Sequence, residues 1–240
     1  MSFSELGIAP AIVQVLKEQG ITESFEVQAE VIPAMMQGKD VCCRAPTGSG
    51  KTLAFGLPLI SRCKPAHPRY PTALVVTPTR ELAEQICKVL QPLARPQKLG
   101  VMAVYGGTSY AKQRQRLEQG VEIIVACPGR LIDLMEKGML KLDDVGTVVL
   151  DEADRMADMG FMEPVCEILN NCAEERQTIL FSATLDEDVD DIVANYMYET
   201  VTIEVGPKEV SMDTMQHISW LIRSNMKSEI AREAVRKCGR

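Results

Sequence analysis

A chain of 240 residues, 46% apolar and 25% charged, exceeds one average domain, yet a single α/β domain can use most of that length. The balance excludes a disordered chain, which would bury too little apolar surface to offset its ordering entropy. No apolar run exceeds six residues, against the roughly 20 that a membrane-spanning helix needs. The start, M-S-F-S-E-L-G-I-A-P, carries no basic region followed by an apolar stretch. A soluble cytoplasmic protein with no membrane partner is expected.

In chain order, short β-branched or apolar runs predict strands at 40–44, 72–77, 101–105, 122–126, 147–150, 178–181 and 201–204. Helix-period stretches lie between them, such as 80–93, with Leu82, Ile86, Leu90 and Leu93 on one face, and 188–198. This alternation predicts an α/β fold with a mainly parallel sheet and helices on both faces. The strands read as nearly continuous apolar runs, as they do when both faces are covered. Gly206 and Pro207 break the pattern, and the polar stretch to about His217 reads as a linker. A strand at 218–222 and a helix at 227–238 follow, too little to bury a core of their own. Residues 207–240 are therefore expected to be a linker and the truncated start of a second domain, and the chain a fragment of a longer protein, monomeric by itself.

Twenty-six basic and thirty-three acidic residues give a net charge of −7, which argues mildly against a nucleic-acid binder. The sum hides an asymmetry. Residues 80–141 hold ten Lys/Arg and six Asp/Glu, a net of +4, whereas 142–205 hold two and seventeen, a net of −15. One face can thus receive a polyanion, although solvated helix faces produce the same counts. The eight cysteines form no C-x-x-C pair, and His67 and His217 are the two histidines. Free, mostly buried thiols are expected rather than a zinc site or a disulfide framework.

The strongest local signal is the run Ala45, Pro46, Thr47, Gly48, Ser49, Gly50, Lys51 and Thr52, directly after a predicted strand and before a helical stretch. The glycines let the backbone wrap tightly, so that successive N–H groups point at phosphate oxygens, and the helix brings its positive end there. Lys51 is placed to bridge β- and γ-phosphates and Thr52 to offer its hydroxyl to Mg²⁺. A nucleotide site of this type needs a carboxylate at the end of a neighbouring strand. Asp151, Glu152, Ala153 and Asp154 follow the strand at 147–150. Asp151 is expected to hold Mg²⁺, through water, and Glu152 to orient and deprotonate the attacking water. Read alone, the same string is a common acidic helix start. Together the two signals describe an NTPase.

In combination with Pro78-Thr-Arg-Glu-Leu82, Gly106-Gly107, Pro128-Gly129-Arg130 and Ser182-Ala-Thr184, these strings resemble the N-terminal RecA-like domain of the DEAD-box ATP-dependent RNA helicases, over about residues 1–206. The resemblance implies a RecA-like P-loop NTPase fold, with an adenine-reading segment at 1–30, an ATP-binding domain at 31–206, and ATP or ADP as ligand. It implies that Gln28 reads adenine, its amide donating to N7 and its carbonyl accepting from the N6 amine, and that Phe3, seventeen residues before Gly20, stacks on the base. It further implies that Pro78, Thr79, Arg80, Gly107, Gly129 and Arg130 contact RNA sugar and phosphate, which carry no sequence information. Asp154, Ser182 and Thr184 would couple nucleotide state to RNA. Ser24 stands where the family usually has proline, and Cys127 where it has threonine. The family's mechanism closes two RecA-like domains over ATP and bends one RNA strand. A stand-alone nucleotide switch and a DNA translocase are the other readings of a P-loop, and neither needs the whole motif set.

Overall fold

Alternate residues of the inner strands belong to different cores, and this accounts for the continuous apolar runs. A computed structural model describes residues 1–206, which form one unit. Its strands are β1 (Val41–Arg44), β2 (Ala73–Val76), β3 (Val101–Val104), β4 (Ile123–Ala126), β5 (Thr147–Leu150), β6 (Gln177–Ser182) and β7 (Val201–Glu204). All pair in parallel, in the order β3-β4-β2-β5-β6-β1-β7. The helices are α1 (Pro10–Glu18), α2 (Glu26–Met36), α3 (Lys51–Arg62), α4 (Arg80–Ala94), α5 (Tyr110–Glu118), α6 (Pro128–Glu136), α7 (Ala153–Asp158), α8 (Met162–Asn171) and α9 (Glu187–Tyr196).

Val41, Cys43, Ala73, Val75, Val149, Ile179 and Phe181 meet α1–α4 on one face of the sheet. Cys42, Leu74, Val76, Val148, Leu150 and Leu180 meet α6, α8 and α9 on the other. With both faces covered, polar residues are left to the strand ends, and there the motifs collect. The seven predicted strands are all present. The strand at 178–181 extends by one residue at each end, because Gln177 is held by the carbonyls of Met35 and Lys39 at 3.0 and 2.7 Å.

Two expectations need correction. A division after residue 30 falls inside α2, and α1 and α2 pack into the same core as the sheet. Phe3 is only 1% exposed, within that core, so its ring has no face left for a nucleotide base. Its apolar neighbours Leu6, Ile8, Ile12 and Leu16 bury with it, and hydrophobic burial outweighs any surface role. The expected linker, strand and helix beyond residue 206 lie outside the described residues.

Candidate nucleotide and RNA site

The C-terminal ends of β1, β6 and β5 lie side by side. The glycine-rich loop leaves β1, and Ala45 anchors it by donating its N–H to the Ser182 carbonyl at 3.1 Å. Gly48 and Gly50 have φ of +82° and +93°, the left-handed region that favours glycine. Gly50 has a second reason. A Cβ there would fall 2.6 Å from Gln28 Nε2 and 2.7 Å from the Phe25 ring. Pro46, Thr47 and Gly48 are exposed, while the Ser49 hydroxyl is buried without a hydrogen-bond partner among the described residues. Lys51 opens α3 and is buried, its ammonium donating to the Ala45 carbonyl at 3.3 Å. Thr52 follows it in the first turn, half-buried.

Asp151 ends β5 and is 3% exposed. Burial pushes its carboxyl up to about 6, against the pull of Lys51. Glu152 sits at φ +55°, a conformation that costs a non-glycine residue on the order of 1–3 kcal/mol and collects at functional sites. Arg155 holds its carboxylate at 3.0 Å. Asp154 turns instead toward the end of β6. Its Oδ2 accepts from the backbone of Ala183 and Thr184 at 3.1 and 3.2 Å and from the Thr184 hydroxyl at 3.4 Å, while its own N–H donates to Ser182 Oγ at 3.2 Å. These sequence-predicted residues are brought together.

Gln28 is 2% exposed and engaged at both ends. Its amide donates to the Gly50 carbonyl at 3.0 Å, and its carbonyl accepts from Phe25 N–H at 2.9 Å. Each end keeps one further hydrogen-bonding position. Phe25 is 62% exposed beside it, and sequence reasoning missed it. The available signal was a phenylalanine at a helix N-cap, where Ser, Thr, Asp or Asn is favoured.

The expected RNA residues divide into two groups. Thr79 caps α4, its hydroxyl accepting from Leu82 N–H at 3.3 Å. Arg80 is exposed and pairs with Glu81 at 3.0 Å. Gly107 and Gly129 have open space where a side chain would stand, so a ligand can approach their backbone closely. Pro78, by contrast, is buried. The Arg130 side chain is only 10% exposed, donating to the Thr108 carbonyl and Gln113 Oε1 at 3.0 and 2.9 Å and pairing with Asp133. Those acceptors make Arg130 a brace between two loops, and its charge is already compensated. Cys127 caps α6 without a side-chain bond, and burial pushes its thiol up to about 11, so it stays neutral. All seven cysteines among the described residues are free.

Among the described residues no cluster of His, Cys, Asp or Glu forms a metal site, and no helix is long and apolar enough to cross a membrane.

The ATP-dependent RNA helicase CshA of Limosilactobacillus reuteri is 38% identical over 230 residues, covering 96% of this chain and 46% of that protein. The DEAD-box ATP-dependent RNA helicase CshA of Geobacillus kaustophilus is 38% identical over 229 residues, covering 95% and 49%. The chain thus spans about half the length of the curated relatives it matches. Among solved structures, a hypothetical ATP-dependent RNA helicase from Sulfolobus tokodaii superposes with TM-score 0.75 at 39% identity, covering 81% of this chain and 56% of that one. A DEAD box protein from Methanococcus jannaschii superposes with TM-score 0.80 at 30% identity, covering 98% and 63%. The model of the DEAD/DEAH box helicases matches residues 25–192, and with the loop, acidic string and sheet order above, the chain belongs to that family.

Proposed function

We propose that this chain is the ATP-binding half of an RNA-dependent ATPase that locally separates short RNA duplexes. The observation that carries this reading is the Asp154 carboxylate, bonded to Ala183 and Thr184 across the end of β6. It joins the acidic string to a second strand end, a connection that phosphate binding alone does not require. Two of the known relatives carry the name ATP-dependent RNA helicase, which supports the same reading.

In this reading the exposed loop N–H groups and Lys51 bind the phosphates. Gln28 reads the base through its two remaining hydrogen-bonding positions, and the exposed Phe25 ring flanks it in place of Phe3. Asp151 and Thr52 offer only oxygen donors, and a buried carboxylate raised to about 6 gains from a cation, so the pair fits Mg²⁺. Such an ion neutralises charge on phosphate oxygens when bound. Glu152 holds and deprotonates the attacking water. Thr79, Arg80 and the open backbone at Gly107 and Gly129 bind RNA phosphates without reading sequence. A second RecA-like half supplies the opposing arginine, an element worth roughly 10³–10⁵ in rate in related phosphoryl transfers. The free thiols, four of the seven described ones buried, suit a reducing, cytoplasmic setting.

The test is ATP turnover by the chain joined to a second RecA-like half, with RNA and DNA of one sequence as stimulants. RNA should stimulate and DNA should not; equal stimulation makes it a translocase of another kind. Lys51→Ala should lose ADP binding, whereas Glu152→Gln should bind ADP and lose turnover. Equal binding by the two variants contradicts the division of roles.

A further inference from the structure

We infer that Tyr110 is a base-stacking platform for single-stranded RNA, adding a contact to base faces beside the phosphate contacts; this rests on the RNA-binding reading above. Tyr110 is the first residue of α5, two residues beyond Thr108 in the loop that contains Gly107. The residue is 39% exposed, within the stretch of net charge +4.

The ring is held in place by residues of α6 and its C-cap. The Arg130 guanidinium lies 4.2 Å from the ring centroid and the Lys137 ammonium 5.2 Å, while the phenol donates to Asp133 Oδ2 at 2.6 Å. Arg130, Asp133 and Lys137 are three and four residues apart along α6 and its C-cap, a single stripe. All three partners come from α6 and its C-cap, and the residue keeps 39% of its surface exposed. Arg130 also donates to the Thr108 carbonyl, so the same guanidinium fixes both the ring and the glycine loop. A rigid aromatic with a cation behind it is a suitable surface for a nucleobase, whose π-face is available whatever the sequence. The remaining carboxylate nearby, Asp133, is already paired with Arg130 and Lys137. Lys112 on α5 is exposed, while Arg114 pairs with Glu118 at 2.8 Å.

The experiment uses the chain joined to a second RecA-like half, a ten-nucleotide RNA carrying 2-aminopurine, and an abasic oligonucleotide of equal length and charge. Tyr110→Ala should weaken RNA binding roughly fivefold to hundredfold and leave the abasic affinity unchanged. The fluorescence quench of 2-aminopurine should be lost in Tyr110→Ala and kept in Tyr110→Phe, which retains the ring and loses only the Asp133 bond. Equal losses on RNA and abasic strands, or an undiminished quench in Tyr110→Ala, overturn the stacking role. Failure of the joined protein to bind either strand overturns the RNA reading itself, and the stacking role with it.

Discussion

Gln28 makes two bonds inside the protein, to Gly50 and Phe25, and the same carboxamide has two positions left for a base. Gln28→Ala should therefore abolish a preference for ADP over GDP worth about 1–3 kcal/mol, whereas Phe25→Ala should weaken both nucleotides while keeping the preference. Titration calorimetry of the four combinations separates these outcomes, and an unchanged preference in Gln28→Ala contradicts adenine reading. Asp151 carries a second residue-scale consequence. An unfolded aspartate titrates near ~3.9, and burial raises the folded value to about 6. Between those values the folded state holds a proton that the unfolded state has released, so stability falls as pH rises from about 4 to about 6. Asp151→Asn removes that fall. Urea denaturation should show the variant gaining on the parent by up to about 3 kcal/mol between pH 4 and pH 6.5. A difference constant over that range means that the carboxyl titrates normally.

At the scale of elements, α3, which Lys51 opens, packs on both α2 and α4. Gly56 lies in the middle of α3, and a Cβ there would fall 2.3 Å from Leu90 Cδ2, in a core where Leu90 is fully buried. Gly56→Ala gains about 1 kcal/mol of helix propensity and loses about 1–3 kcal/mol to overpacking. A lowered melting temperature is the expected net result, and it should be partly restored by adding Leu90→Val. Strict additivity of the two changes shows that they do not share this contact. The helix periodicity of 80–93 was legible because α4 has one buried stripe. The close approach at Gly56 was not, since a glycine inside a helix signals a neighbour without saying which.

For the whole molecule, the described residues make a complete two-faced sheet with a core on each side. A chain ending at residue 206 should fold cooperatively and bind ADP, by thermal melting and calorimetry. Its ATP turnover should be slow and its RNA binding weak until a second RecA-like half is added, because the opposing charge is then missing. RNA-stimulated turnover by residues 1–206 alone, at the rate of the joined protein, contradicts the need for a second half.

The parallel sheet, its seven strands and the loop and acid strings at their ends followed from the sequence alone. Strands buried on both faces must be apolar throughout, and glycine, lysine and carboxylate side by side have few other uses. Tertiary structure decided the strand order that sets β6 between β1 and β5, and so the bond from Asp154 to Thr184. It also decided which aromatic is free. Phe3 and Phe25 are the same residue type near the same end of the chain, yet one is 1% and the other 62% exposed. Likewise Arg80 faces solvent, while Arg130 is committed to Thr108, Gln113 and Asp133. A side chain's chemistry is a local property of sequence, whereas its availability depends on which distant residues fold against it.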